Sequence, residues 1–98
     1  MNYQITSDNI QISPSMKNLA TEKFEKVERL LTDIPEDSKF VRIVMNKGSD
    51  NEGKFTIKIQ LNADGKEYFS DDTDYTLETA VVNTIEEIVR MIRKDKNS

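Results

Sequence analysis

The sequence predicts an α+β domain of two layers, with two helices packed on one face of a four-stranded sheet. Two observations predict it. One amphipathic stretch in the first half of the chain and another at its end each carry a single apolar stripe. Short runs of strand periodicity, separated by turn-forming segments, precede and follow the first stretch. No internal repeat and no low-complexity linker divides the 98 residues, so residues 1–98 are expected to be one domain.

Residues 2–6 alternate around Tyr3 and Ile5, a weak strand signal, and Ser7-Asp8-Asn9 is a turn cluster. Ile10 and Ile12 alternate again around Gln11. Ser13-Pro14 then marks a helix start, with serine as cap and proline in the first helical position. Met16, Leu19, Ala20, Phe24, Val27, Leu30, Leu31 and Ile34 fall on one stripe, which gives a helix of about five turns. Pro35 is expected to end it, because the residue before a proline resists helical dihedrals. Residues 39–46 read as a strand with two largely apolar faces, Val41, Ile43 and Met45 against Phe40, Arg42 and Val44. A loop is expected over 46–53. Phe55, Ile57, Ile59 and Leu61 alternate cleanly with polar residues, the signature of a strand with one buried and one wet face. Asn62-Ala63-Asp64-Gly65 is a hairpin turn, and residues 66–70 a short final strand. Sequential strands joined in this way are expected to pair antiparallel. Leu77, Val81, Ile85, Ile88 and Ile92 then recur at helical intervals, with Asn83, Glu86, Glu87, Arg90 and Lys94 on the opposite face.

Composition narrows the chemistry. The chain has no cysteine and no histidine, so disulfides, a thiolate nucleophile, a Cys/His zinc site and a histidine base are all excluded. No apolar run approaches the ~18 residues that cross a bilayer. The opening residues are neither basic nor apolar enough for a signal peptide, and a cytoplasmic location is expected. Lys and Arg number 14 against 18 Asp and Glu, a net charge of −4 that opposes non-specific binding to phosphate backbones. The charge is segregated, however. Residues 90–96 hold Arg90, Arg93, Lys94 and Lys96 with one acid, whereas 71–78 hold Asp71, Asp72, Asp74 and Glu78 with no base.

The acidic segment has the oxygen ligands that a hard cation takes. Capping of the second helix is the simpler account, since carboxylates stabilise a helix start. The segment lacks the spacing of a calcium loop, and no metal or other cofactor is expected. Among the bases of the first helix, Lys23 projects into the apolar stripe and Lys26 onto its edge, so each must lay its stem along the seam and lift its ammonium out. Arg90 and Lys94 are neighbours on the second helix. Glu86 and Glu87 stand four and three residues before Arg90, so a salt-bridged solvated face accounts for the same spacing.

Several segments, in order, resemble the ribosome hibernation promoting factor family, which includes the ribosome-associated inhibitor protein Y. They are Ile5-Thr6-Ser7, then Asn9-Ile10-Gln11-Ile12-Ser13-Pro14, then Glu22-Lys23-Phe24-Glu25-Lys26-Val27-Glu28, and the closing stretch from Ile85 through Lys96. The similarity covers essentially the whole chain. It implies a β-α-β-β-β-α fold like that of double-stranded-RNA-binding domains. It also implies a non-catalytic factor that meets ribosomal RNA of the small ribosomal subunit, in the channel for messenger and transfer RNA, and blocks translation in stress. Such a factor would be a monomer when free, with no DNA and no membrane partner. By position, the family's RNA-contacting bases correspond to Lys23, Lys26, Arg90 and Lys94, with Arg93 and Lys96 beside them. The chain departs from the family pattern at Thr76, Leu77 and Glu78, where an aromatic is usual, at Glu87, where a lysine is usual, and at Met91. An acidic protein-interaction module of related fold is the alternative that the net charge suggests, and a small metal-dependent enzyme a third.

Overall fold

Alternation along three strands decides where the core lies. The computed structural model describes residues 1–48 and 53–97. Its elements are β1 (Asn2–Thr6), α1 (Pro14–Leu30), a 3-10 turn (Glu36–Ser38), β2 (Lys39–Lys47), β3 (Phe55–Ala63), β4 (Lys66–Asp74) and α2 (Leu77–Lys96). In β2 the set Val41, Ile43 and Met45 is buried, while Phe40 and Arg42 face outward. Antiparallel register sets Val41 beside Leu61, Ile43 beside Ile59 and Met45 beside Ile57. Tyr68 and Ser70 of β4 extend the same buried face. Onto it pack Ala20, Phe24 and Val27 of α1 and Val81, Ile85, Ile88 and Ile92 of α2. Tyr3 of β1 meets the Phe24 ring edge-on, with centroids 5.8 Å apart. The expected two-layer architecture is therefore present, with both helices on one sheet face.

The sheet order is β1-β2-β3-β4. β1 and β2 run parallel, which corrects the expectation of antiparallel pairing for that step. The reason is the intervening helix: a crossover through α1 returns the chain in the direction it left, whereas a tight turn reverses it. The other two pairs are antiparallel. Residues 63–66 form a two-residue turn in which Asp64 and Gly65 both take positive φ, 51° and 83°, the geometry that lets a hairpin follow the twist of its strands.

Other boundaries differ from the sequence reading. Ile10 and Ile12 do not form a strand; the Ser7–Asn9 bend is instead tied to β2, where the amide of Asp8 donates to Asn46 Oδ1 at 2.8 Å and that of Lys47 to Asn9 Oδ1 at 3.0 Å. α1 starts as expected on the Ser13 cap with Pro14 first, but it ends at Leu30 rather than near Ile34. In a longer helix the Leu31 carbonyl would accept from residue 35, and Pro35 has no N–H to give. The buried ammonium of Lys39 takes that carbonyl instead, at 3.0 Å. β4 runs on to Asp74, so Asp71, Asp72 and Asp74 belong to a strand and do not cap α2. The cap is Thr76, whose hydroxyl accepts from the amide of Thr79 at 3.1 Å, with Glu78 the one acid in the first turn. Of the loop expected over 46–53, Asn46 and Lys47 lie in β2, and 49–52 fall outside the described residues.

Candidate nucleic-acid interface

The exposed surface of the helix layer carries the six basic side chains singled out from the sequence. Lys23 and Lys26 flank the buried stripe of α1 formed by Ala20, Phe24 and Val27. Each reaches across to α2. Lys23 Nζ lies 3.9 Å from Glu78 Oε1, and Lys26 Nζ donates to Glu86 Oε1 at 2.5 Å. Farther along, Lys96 of α2 reaches back to Asp33 at 3.7 Å. Residue numbers on the two helices rise together along these contacts, so α1 and α2 run the same way and share one ion-paired seam.

Glu86 is the centre of the arrangement. The hydrogen bond from Lys26 holds its carboxyl below the usual carboxylate range, and the attraction of Lys26, Arg93 and Arg90 adds to this against a smaller cost of burial. Lys26 alone touches this carboxylate, and Arg90 and Arg93 follow it by four and seven residues along α2. Arg90 also pairs with Glu87 at 2.5 Å, which bears out the local salt bridge that the spacing allowed. Lys94 stands one turn beyond Arg90 and is exposed. Among the described residues, neither Arg93 nor Lys94 has a carboxylate within 4.0 Å. The result is a strip of cations interleaved with Glu78, Glu86, Glu87 and Asp33, not an unbroken positive surface. Its side chains are 41–74 % exposed, and ion pairs in that setting are weak enough for a polyanion to displace.

The acidic segment assembles no cation site. Neighbouring strand residues point to opposite faces. Asp72 turns toward α2 and accepts from Asn83 at 3.1 Å, while Asp71 stands on the open face beside Lys58 of β3. Among the described residues no group of three or more acidic side chains is placed to hold a metal ion. No helix among them is long and apolar enough to cross a membrane.

Sequence reasoning missed the partners of these cations. Lys26 and Glu86 are 60 residues apart, and Asp33 and Lys96 are 63 apart, so no local spacing announces either pair. It also missed Lys39, whose alternation within its strand placed it on the buried face for anyone following that period.

Comparisons with known proteins agree with this architecture. A family model described as sigma 54 modulation protein / S30EA ribosomal protein matches residues 3–98. The N-terminal domain of Thermus thermophilus Protein Y superposes with a TM-score of 0.82 at 16 % identity, covering 96 % of this chain and 98 % of that one. A ribosomal subunit interface protein from Coxiella burnetii gives 0.75 at 18 % identity over the full length of both chains. No curated protein sequence matches the chain.

Proposed function

Because the chain belongs to the sigma 54 modulation protein / S30EA ribosomal protein family, we propose that it is a non-catalytic ribosome-binding factor. It binds the small subunit in the channel of messenger and transfer RNA and inhibits translation there. The observation that carries this reading is the placement of Lys23, Lys26 and Lys96 along one exposed seam between the helices, with Arg90, Arg93 and Lys94 on the neighbouring turns of α2. Each cation would neutralise a phosphate and release its counterion. Exposed lysines and arginines on a helix pair suit recognition of RNA backbone and shape rather than base edges. The protein described as a ribosomal subunit interface protein shares the whole fold, which supports the same partner.

Co-sedimentation with purified small subunits tests the proposal. If about four phosphates are engaged, raising monovalent salt from about 0.1 M to 0.3 M weakens binding roughly twenty- to fifty-fold. Replacing Lys26 and Arg90 together by Glu should abolish pelleting while the far-UV circular dichroism stays unchanged. Folded wild-type protein that stays in the supernatant at the lower salt would refute the reading.

One observation favours a second reading, that of an acidic interaction module. A groove of about 560 Å³ runs between β4 and α2, lined by Asp71, Asp72, Asn83, Glu86, Glu87 and Arg90. Capture of a basic protein from ribosome-depleted lysate, lost on substituting Asp71 and Asp72 by Asn, would support it.

A further inference from the structure

The two strongest candidate contacts on α1 are already occupied. Lys23 and Lys26 meet Glu78 and Glu86, and both carboxylates come from the facing helix, not from the neighbouring turn of α1. The Glu86 oxygen, at hydrogen-bond distance from the Lys26 ammonium, stands where a phosphate oxygen would stand, while Glu78, 3.9 Å from Lys23, acts on it through charge alone. We propose that Glu78 and Glu86 are intramolecular competitors of phosphate, which set the affinity of the strip and keep it closed to isolated RNA. The inference rests on the RNA-binding reading of the same strip and names what regulates it.

Geometry supports competition over mere surface decoration. Glu86 is hydrogen-bonded to Lys26 and stands one turn before Arg90 on α2, so a phosphate approaching that part of the strip meets its carboxylate. Its carboxyl is held below the ordinary range, so it stays charged wherever the protein is folded at neutral pH. Lys26 and Glu86 are each close to half exposed, so the pair opens without disturbing the core. A single helix of free RNA gains too few contacts to displace both carboxylates and overcome a net charge of −4. A surface that engages several cations at once does gain enough.

The experiment uses a generic RNA duplex of about twenty base pairs, longer than the span a double-stranded-RNA-binding domain covers. Binding is followed by fluorescence anisotropy at about 0.05 M salt. Wild type should bind weakly. Glu86→Gln should bind about two- to five-fold more tightly, and Glu78→Gln with Glu86→Gln about the product of two such gains. Glu67→Gln on the open sheet face changes net charge equally without freeing a cation, and it sets the baseline. The gain from Glu86→Gln must also shrink in a Lys26→Met background, because most of that effect acts through the hydrogen-bonded ammonium. If the double variant binds no better than Glu67→Gln, or if the Glu86→Gln gain is undiminished without Lys26, the inference is overturned. The small-subunit assay reports on the underlying reading separately. If Lys26 and Arg90 prove dispensable there, that reading fails, whatever the duplex shows.

Discussion

At the scale of single residues, two polar side chains settle the ends of the fold. Lys39 is 2 % exposed, and its ammonium donates to Leu31 O at 3.0 Å and to Glu36 Oε1 at 2.9 Å. It does at the end of α1 what the absent N–H of Pro35 cannot. Lys39→Met keeps most of the apolar stem and removes only the donor. It should destabilise the domain by about 1–3 kcal/mol in urea unfolding, the cost of losing the two ammonium hydrogen bonds, while the Leu31 carbonyl keeps the amide of Ile34 at 3.1 Å. Tyr68 acts at the other helix, where its hydroxyl donates to Asp95 at 2.7 Å. Burial, then that bond, pushes the phenol from 10.0 to about 12. A raised tyrosine binds its proton longer in the folded chain than in the unfolded one. Its contribution is therefore intact below pH 10.0 and lost as pH rises to about 12. Tyr68→Phe should flatten stability against pH across that window. Tyr3, raised by burial and by the charge of Glu28, keeps a remaining slope. Identical alkaline profiles for wild type and Tyr68→Phe would show that the phenol is not raised, and so that neither its burial nor the Asp95 contact is as described.

At the scale of elements, the hairpin between β3 and β4 isolates one physical cause. Gly65 has a φ of +83°, and a methyl group added there would meet nothing within 4 Å. Gly65→Ala should therefore cost about 1 kcal/mol through backbone conformation alone, measurable as a lower urea midpoint with an unchanged slope. A much larger loss would mean that β4 shifts its register. Elements such as this turn were legible in the sequence because their signals are local: Asp64-Gly65 between alternating strands, Ser13-Pro14 before an apolar stripe, and four- and three-residue intervals from Leu77 to Ile92. The length of β4 was not legible. Ser70-Asp71-Asp72-Thr73-Asp74 has only Thr73 to favour a strand by composition, against three aspartates that disfavour it. It is a strand because Phe55, Thr56, Ile57, Lys58 and Ile59 of β3 offer it a paired backbone. The parallel pairing of β1 with β2 was hidden for a similar reason, since it follows from the path of α1 and from no residue in either strand. The cations of the candidate site could be named from the family resemblance together with their positions on the helices, but their carboxylate partners are products of tertiary structure.

At the scale of the whole molecule, a net charge of −4 and a cationic seam pull in opposite directions over different distances. The body measures 43 × 25 × 19 Å. At about 0.01 M salt the screening length is roughly 30 Å, so a polyanion senses the charge of the entire protein and is repelled. At about 0.1 M it falls to roughly 10 Å, and the approaching surface senses mainly the helix layer nearest to it. Higher salt then weakens the local phosphate contacts through counterion release. Association with small subunits should consequently pass through a maximum near 0.1 M salt, with the rise on the low-salt side carried by the association rate and the fall beyond it by dissociation. Stopped-flow measurements at about 0.01, 0.1 and 0.3 M monovalent salt, with magnesium held constant, distinguish the two limbs. Replacing Glu67 of the open face by Gln should lessen the rise, because that charge acts only at long range, and leave the fall unaltered. An association rate that declines steadily from the lowest salt would mean that the seam, and not the whole body, governs the encounter.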